Sequence, residues 1–156
     1  MKLSYRLVTT GLGMGYSPIA PGSVAALGGS IIAVLLKKWT IYPEVWLAFL
    51  IVLFFSLGVY CSTQVEAEWG KDPTKVVIDE VVGMWVAMWL VPMEWISVMA
   101  AFILFRYFDI YKPLYIRNME KFKGGWGIMM DDLLAGIYAN AIIQVSYIIL
   151  SSIHGK

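Results

Sequence analysis

Apolar residues run along this chain in long blocks, and the charges gather between them. Trp46–Val65 is 20 residues without a charge and Leu133–Ile153 is 21, each close to the roughly 20 residues a helix needs to cross about 30 Å of hydrocarbon. Both predict membrane-spanning helices. Leu7–Leu36 is also free of charge, but Gly11, Gly13, Gly15, Pro18, Pro21 and Gly22 interrupt its first half. That predicts an irregular loop feeding a shorter span over Ala20–Leu36. Two further apolar runs, Val81–Met93 and Trp95–Phe105, flank a tight turn at Pro92 and Glu94. To reach a span of roughly 17–25 residues, the first must extend back through Glu80, Asp79 and Val76, and the second forward through Arg106, Asp109 and Tyr111. The chain reads as all-α: a polytopic helical membrane bundle of about five spans (four to six), one membrane-embedded domain over residues 1–156.

Composition sharpens that picture. Hydrophobic residues make up 60% of the 156 and charged residues 15%, against about 45–50% and about 25% in ordinary soluble domains; mean hydropathy is +0.72. A net charge of +1 offers no electrostatic footprint for nucleic acid. The single Cys61 cannot form an internal disulfide. Lys2 and Arg6 are followed too soon by Thr9, Thr10 and glycines for the N-terminus to read as a cleaved signal peptide, whose apolar stretch of about 7–15 residues is missing.

Five spans place the N-terminus, loop 66–78 and loop 106–131 on one side. Nine bases sit there (Lys2, Arg6, Lys71, Lys75, Arg106, Lys112, Arg117, Lys121, Lys123), against Lys37, Lys38 and Lys156 on the other. The excess of bases predicts that the first side is cytoplasmic. The same side holds Glu66, Glu68, Asp72, Asp79, Glu80, Asp109, Glu120, Asp131 and Asp132.

Acids drawn into a membrane margin are costly and point to function. Structural roles compete with that reading. Arg106 and Asp109, spaced i,i+3, could neutralise one another on one helix face. Asp131 or Asp132 could cap the last helix. Gly124-Gly-Trp-Gly127 reads equally as a phosphate-contacting loop or a flexible turn, while Gly83-x-x-x-Ala87 and Ala135-x-x-x-Ala139 read as close helix contacts. Gly11-Leu-Gly-Met-Gly15 is followed by Tyr16 and lacks the strand-turn-helix setting of a dinucleotide site.

The side-chain inventory narrows the chemistry. His154, the only histidine, falls on the far face, Cys61 lies inside a span, and neither Asp-x-Asp nor a phosphate-loop motif occurs. Carboxylates suit a hard cation such as Mg²⁺, which binds one or two of them together with substrate phosphate oxygens. Such an ion polarises a phosphoryl oxygen and orients water, while Arg106, Lys112 or Arg117 compensates phosphate charge.

Three stretches then stand out together: Gly11-Leu-Gly-Met-Gly-Tyr-Ser-Pro-Ile-Ala-Pro-Gly-Ser23, Ile78-Asp-Glu-Val-Val-Gly-Met-Trp85, and Phe105-Arg-Tyr-Phe-Asp-Ile-Tyr-Lys-Pro113 running on to Gly124-Gly-Trp-Gly-Ile-Met-Met-Asp-Asp-Leu-Leu-Ala-Gly136. In this order, over about residues 7–140, the chain resembles the bacterial phosphatidylglycerophosphatase A family of membrane lipid phosphatases. Ser23 and Leu114 stand where that family often has Thr and Pro; neither departure touches a carboxylate. The resemblance implies Mg²⁺-dependent hydrolysis of phosphatidylglycerophosphate to phosphatidylglycerol and phosphate at the inner membrane. The expected metal ligands are Asp79, Asp109 and Asp132. Glu80 or Asp131 is expected to orient water as the base, Arg106 and Lys112 to hold the monoester, and Ser17, Arg117, Gly124 and Gly125 to contact substrate. Five bases between Arg106 and Lys123 point to a head group carrying a second, diester phosphate. A broader lipid phosphomonoesterase, a cation- or proton-coupled carrier using the same acids, and a phospholipid transferase are the alternatives. Helix-end acids, no inverted repeat and no nucleotide-diphosphate motif weigh against the last two.

The orientation is open to direct test. In a Cys61-free background, cysteines replacing Asp72 and Lys123 are expected to resist an impermeant thiol reagent in intact cells and to react after lysis. Labelling from outside would reverse the topology.

Overall fold

The computed structural model describes residues 3–70, 73–92 and 94–154. Lys2, Lys71, Asp72 and Lys156, counted above among the charged positions, and Met93, at the expected turn, lie outside the described residues. The elements are α1 (Leu3–Thr9), a single 3₁₀ turn (Met14–Tyr16), α2 (Pro21–Trp39), α3 (Pro43–Trp69), α4 (Ile78–Met88), α5 (Trp95–Tyr111), α6 (Ile116–Met119) and α7 (Gly125–His154). No strand occurs among the described residues.

Among the described residues, three helices are long and apolar enough to cross a membrane: α2, α3 and α7. α2 and α3 each open with proline in the first helical position, where its missing N–H costs nothing. α3 runs past the charge-free stretch at both ends and carries Glu66 and Glu68 in its final turns. α5 extends forward through Arg106, Asp109 and Tyr111 as expected. α4 does not match its expected span. It stops at Met88 after 11 residues, a rise of about 16 Å and half a bilayer, so five complete crossings are not established.

The early end of α4 has a visible cause. Leu90 takes a left-handed backbone with φ 58°, and the Asn140 amide of α7 donates to the carbonyls of Ala87 at 3.2 Å and Trp89 at 2.7 Å. A side chain from the neighbouring helix thereby satisfies carbonyls that a longer α4 would have bonded itself.

α4 is also the centre of the bundle. Ile78, Val81, Val82, Gly83, Met84, Trp85, Ala87 and Met88 are all buried, mainly against α7 and α2, and the Trp85 indole donates to the Gly29 carbonyl of α2 at 2.9 Å. The long helices instead turn large side chains outwards, among them Ile31, Phe49, Val52 and Ile148. An apolar surface on that scale is a liability in water and suits lipid.

The contact of α4 with α7 is glycine against glycine. A Cβ on Gly136 would strike the Gly83 carbonyl oxygen, and one on Gly83 would come within 2.7 Å of the Asp132 carbonyl oxygen and 2.6 Å of the Phe105 ring. Ala87, Ala135 and Ala139 are fully buried along the same seam, so the expected small-residue contacts hold.

α7 corrects one expectation. It begins at Gly125, almost two turns before Asp131, so neither Asp131 nor Asp132 is its N-cap. The apolar segment Gly125–Met130 packs on α3, with Gly125 against the Val59 backbone and Met129 against Gly58, and that contact carries the helix beyond the aspartates. Gly136→Val is expected to destabilise the fold by roughly 1–3 kcal/mol through overpacking, read as a lower thermal midpoint in detergent. Ile148→Val on the lipid-facing surface should leave it nearly unchanged.

Candidate functional site

Asp79 and Glu80 occupy the first turn of α4, a favourable place for negative charge at a helix N-terminus. That turn is pinned to the N-terminal region by the Val77 amide, which donates to the Thr9 carbonyl at 2.8 Å. Asp79 lies four residues before Gly83, and Asp132 lies four residues before Gly136. Each acid therefore sits about one helical turn from the point where α4 and α7 touch, and the two come together. One carboxylate oxygen from each of Asp79, Glu80 and Asp132 lies within 4.8 Å of the others.

α5 delivers its C-terminal end to the same place. Arg106 pairs with Asp109 one turn on, as the spacing allowed, and Asp109 also adjoins the Asp132 carboxyl. On the opposite side Gly22, in the first turn of α2, lies so close to Glu80 that a Cβ there would overlap its Oε1 and come within 3.1 Å of Arg106 Nη1. Asp79 Oδ1, Glu80 Oε2 and Arg106 Nε are buried without a hydrogen-bond partner. Buried, unpartnered carboxylate oxygens are costly in isolation. An all-oxygen donor set with unused acceptors suits a hard divalent cation.

Lys112 ends α5 in a left-handed conformation, φ 46°, which turns its ammonium towards Asp131 Oδ2 at 2.6 Å and Glu120 Oε1 at 2.7 Å. Burial pulls the Lys112 pKa down, but the hydrogen bonds it donates to Asp131 and Glu120 outweigh it and hold the group above its ordinary value. It stays charged. Asp131 Oδ1 accepts the Asp132 amide at 3.0 Å, so both oxygens of Asp131 are engaged. Beside it lies a cavity of about 260 Å³ lined by Glu66, Glu120, Phe122, Gly124, Gly127, Ile128 and Asp131.

Asp79, Glu80, Asp109, Asp131, Asp132, Arg106 and Lys112 are thus gathered at one end of the bundle, as the sequence suggested. The expected substrate contacts are arranged differently. The Ser17 hydroxyl donates to the Ile19 carbonyl at 2.9 Å within its own loop. Arg117 is exposed on α6. The Gly125 amide donates to Thr63 Oγ1 at 2.8 Å, so the glycine turn docks the start of α7 on α3; Gly124 takes φ 62° there and also lines the cavity. Sequence reasoning passed over Gly22, Glu66 and Glu120 as site residues. Gly22 was visible inside the Gly/Pro stretch, whereas nothing local marked Glu66 or Glu120, which join the site only through packing.

A family model described as phosphatidylglycerophosphatase A matches residues 7–147. A protein of Bacteroides thetaiotaomicron provisionally named a phosphatidylinositol-3-phosphatase is 47% identical over 146 residues, covering 90% of this chain and 91% of that protein. Proteins named phosphatidylglycerophosphatase A are 39% identical in Haemophilus influenzae (88% of this chain, 85% of theirs) and 34% identical in Escherichia coli K12 (92% and 83%). No solved structure matches the chain. With 141 consecutive residues inside the family model and all the gathered acids among them, the chain belongs to the phosphatidylglycerophosphatase A family of lipid phosphatases.

Proposed function

We propose that this protein hydrolyses the terminal phosphomonoester of phosphatidylglycerophosphate, releasing phosphatidylglycerol and phosphate, with Mg²⁺ as its cofactor. The observation that carries this is the meeting of Asp79, Glu80 and Asp132 within 4.8 Å, with unused buried oxygens and Arg106 alongside. Asp79, Glu80 and Asp132 would hold the ion, with Asp109 completing the acidic set. Bound there, Mg²⁺ supplies charge stabilisation at the phosphoryl oxygens and lowers the pKa of a coordinated water.

The remaining work falls to the chain itself. Arg106, held in place by Asp109, neutralises phosphate charge that the acids alone would repel. Glu80 keeps Oε2 unpartnered and is the better placed of the two candidate bases to take a proton from water, because Asp131 is committed to Lys112 and to the Asp132 amide. Lys112 holds Asp131 and Glu120 together and keeps a positive charge beside the acids. Arg117 and Lys121, both exposed, face the diester and the anionic membrane surface, where each base adds about 1 kcal/mol of attraction. The distribution of bases supports an active site on the cytoplasmic face of the inner membrane.

The 47% identity to a protein provisionally named a phosphatidylinositol-3-phosphatase favours a second reading, a phosphomonoesterase acting on another lipid head group. A carrier finds no support beside the family match.

Phosphate release by purified protein from phosphatidylglycerophosphate and phosphatidylinositol 3-phosphate separates these readings. Activity on the first, abolished by chelation and restored by Mg²⁺, is the expected result. Asp79→Asn and Asp132→Asn each remove a charged donor while keeping size, and each is expected to lower kcat/KM by about 100-fold or more; near-normal turnover in both at limiting Mg²⁺ would refute the metal site. Gly22→Ala, which pushes on Glu80, is expected to raise the Mg²⁺ concentration needed for half-maximal activity while leaving the thermal midpoint within a few degrees.

A further inference from the structure

Two bases share one indole where α1 meets the end of α3. The Arg6 guanidinium carbon stands 5.6 Å from the centre of the Trp69 ring. The Lys75 ammonium stands 5.9 Å from the same ring and 5.6 Å from that of Tyr16. Aromatic faces attract cations without neutralising them. Glu68 pairs with Arg6, but no carboxylate among the described residues pairs with Lys75, and Arg6 Nε is buried without an acceptor. Two bases thus stand against one paired acid, with N–H donors left over. The complement of such a group is an anion.

The chain beside these bases is apolar and turned outwards. Leu3 and Leu7 lie four residues apart on one face of α1 and are exposed. The turn that follows folds back on them: the Leu12 amide donates to the Leu7 carbonyl at 2.8 Å, and Gly15 packs so closely on Lys75 that a Cβ would overlap its carbonyl oxygen. Leu12 crowns this turn, 85% exposed and in a left-handed backbone, φ 58°. A leucine so placed is doubly disfavoured in water, by backbone strain and by its bare apolar surface. Hydrocarbon removes the second cost. A ridge of three leucines with bases alongside therefore suits the edge of a bilayer, where chains and charged head groups meet.

We infer that Arg6, Lys75 and Trp69, with the ridge of Leu3, Leu7 and Leu12 beside them, bind one anionic phospholipid of the surrounding leaflet. The two bases take its diester phosphate through charge-assisted hydrogen bonds, and the leucines lie along the start of its acyl chains. Tyr16 and Trp69 hold the Lys75 ammonium at the margin. A zwitterionic lipid offers the same phosphate but brings its own cation towards Arg6 and Lys75, and free phosphate has no chain for the leucines. None of Asp79, Glu80, Asp109, Asp131 and Asp132 takes part, so this site is separate from the acidic centre and independent of which lipid is hydrolysed there.

Native mass spectrometry of the purified chain, titrated with phosphatidylglycerol, phosphatidylcholine or inorganic phosphate, tests this. Wild type should bind phosphatidylglycerol roughly 5-fold or more tightly than phosphatidylcholine, the gain that one base near a membrane surface supplies, and inorganic phosphate should not displace it. Lys75→Gln and Arg6→Gln should each weaken that binding by roughly 5-fold and leave phosphatidylcholine unchanged, while Lys75→Arg retains it. Lys75 is exposed, so its Gln variant reads binding and not folding. Any phosphatidylglycerol held at the acidic centre is indifferent to Lys75, so the difference between wild type and Lys75→Gln reports this site alone. Leu12→Asn separates lipid contact from stability: asparagine accepts a left-handed backbone more readily than leucine, so the thermal midpoint in detergent should hold or rise while lipid retention falls. Equal binding of the two lipids by wild type, a preference indifferent to both Gln variants, displacement by inorganic phosphate, or unchanged retention in Leu12→Asn overturns the site.

Discussion

The close approach of Gly83 on α4 to Gly136 on α7 sets the geometry on which the site depends. With only hydrogen at each Cα, the two backbones come near enough that a methyl on Gly136 would strike the Gly83 carbonyl. Helices in lipid gain little from burying apolar surface, so their association relies on close packing of this kind. Because the acids sit four residues before each glycine, the same contact that joins the helices also brings Asp79 and Asp132 together. Structure and chemistry are fixed by one seam.

The length of α4 is part of the same arrangement. Its first turn stands at the acidic centre and its last lies deep in the bundle, where the Asn140 amide donates to the carbonyls left open. A helix of 11 residues buried on nearly every side is held in place by four neighbours, α2, α3, α5 and α7. Its carboxylates are accordingly carried on a rigid element, as a site needing accurate placement requires.

Charge is sorted across the site. Arg106 pairs with Asp109 beside Glu80, while Lys112 is spent on Asp131 and Glu120. Two bases with the same sequence-level description therefore have different surroundings. One is paired with Asp109 beside the buried acids, and the other ties Asp131 to Glu120 at the neighbouring cavity.

The membrane class and the apolar runs inside α2, α3 and α7 were legible in the sequence alone, as was the expectation that five acids with Arg106 and Lys112 lie at one membrane margin, because a 20-residue apolar run and a charge at its margin each impose a cost that few structures relieve. The family motifs were equally legible in the order of residues. The tertiary structure decided what periodicity does not encode. The α7 start moved to Gly125 because Gly58 and Val59 of α3 receive its first turns, and that took the N-cap role from Asp131 and Asp132. α4 ended at Met88, where the Asn140 amide donates to the carbonyls of Ala87 and Trp89, so five full crossings did not follow from five apolar runs. Glu66, Glu120 and Gly22 entered the site through contacts between elements far apart in the chain. Local sequence reports the cost of burying a group, whereas the partner that relieves it is chosen by packing.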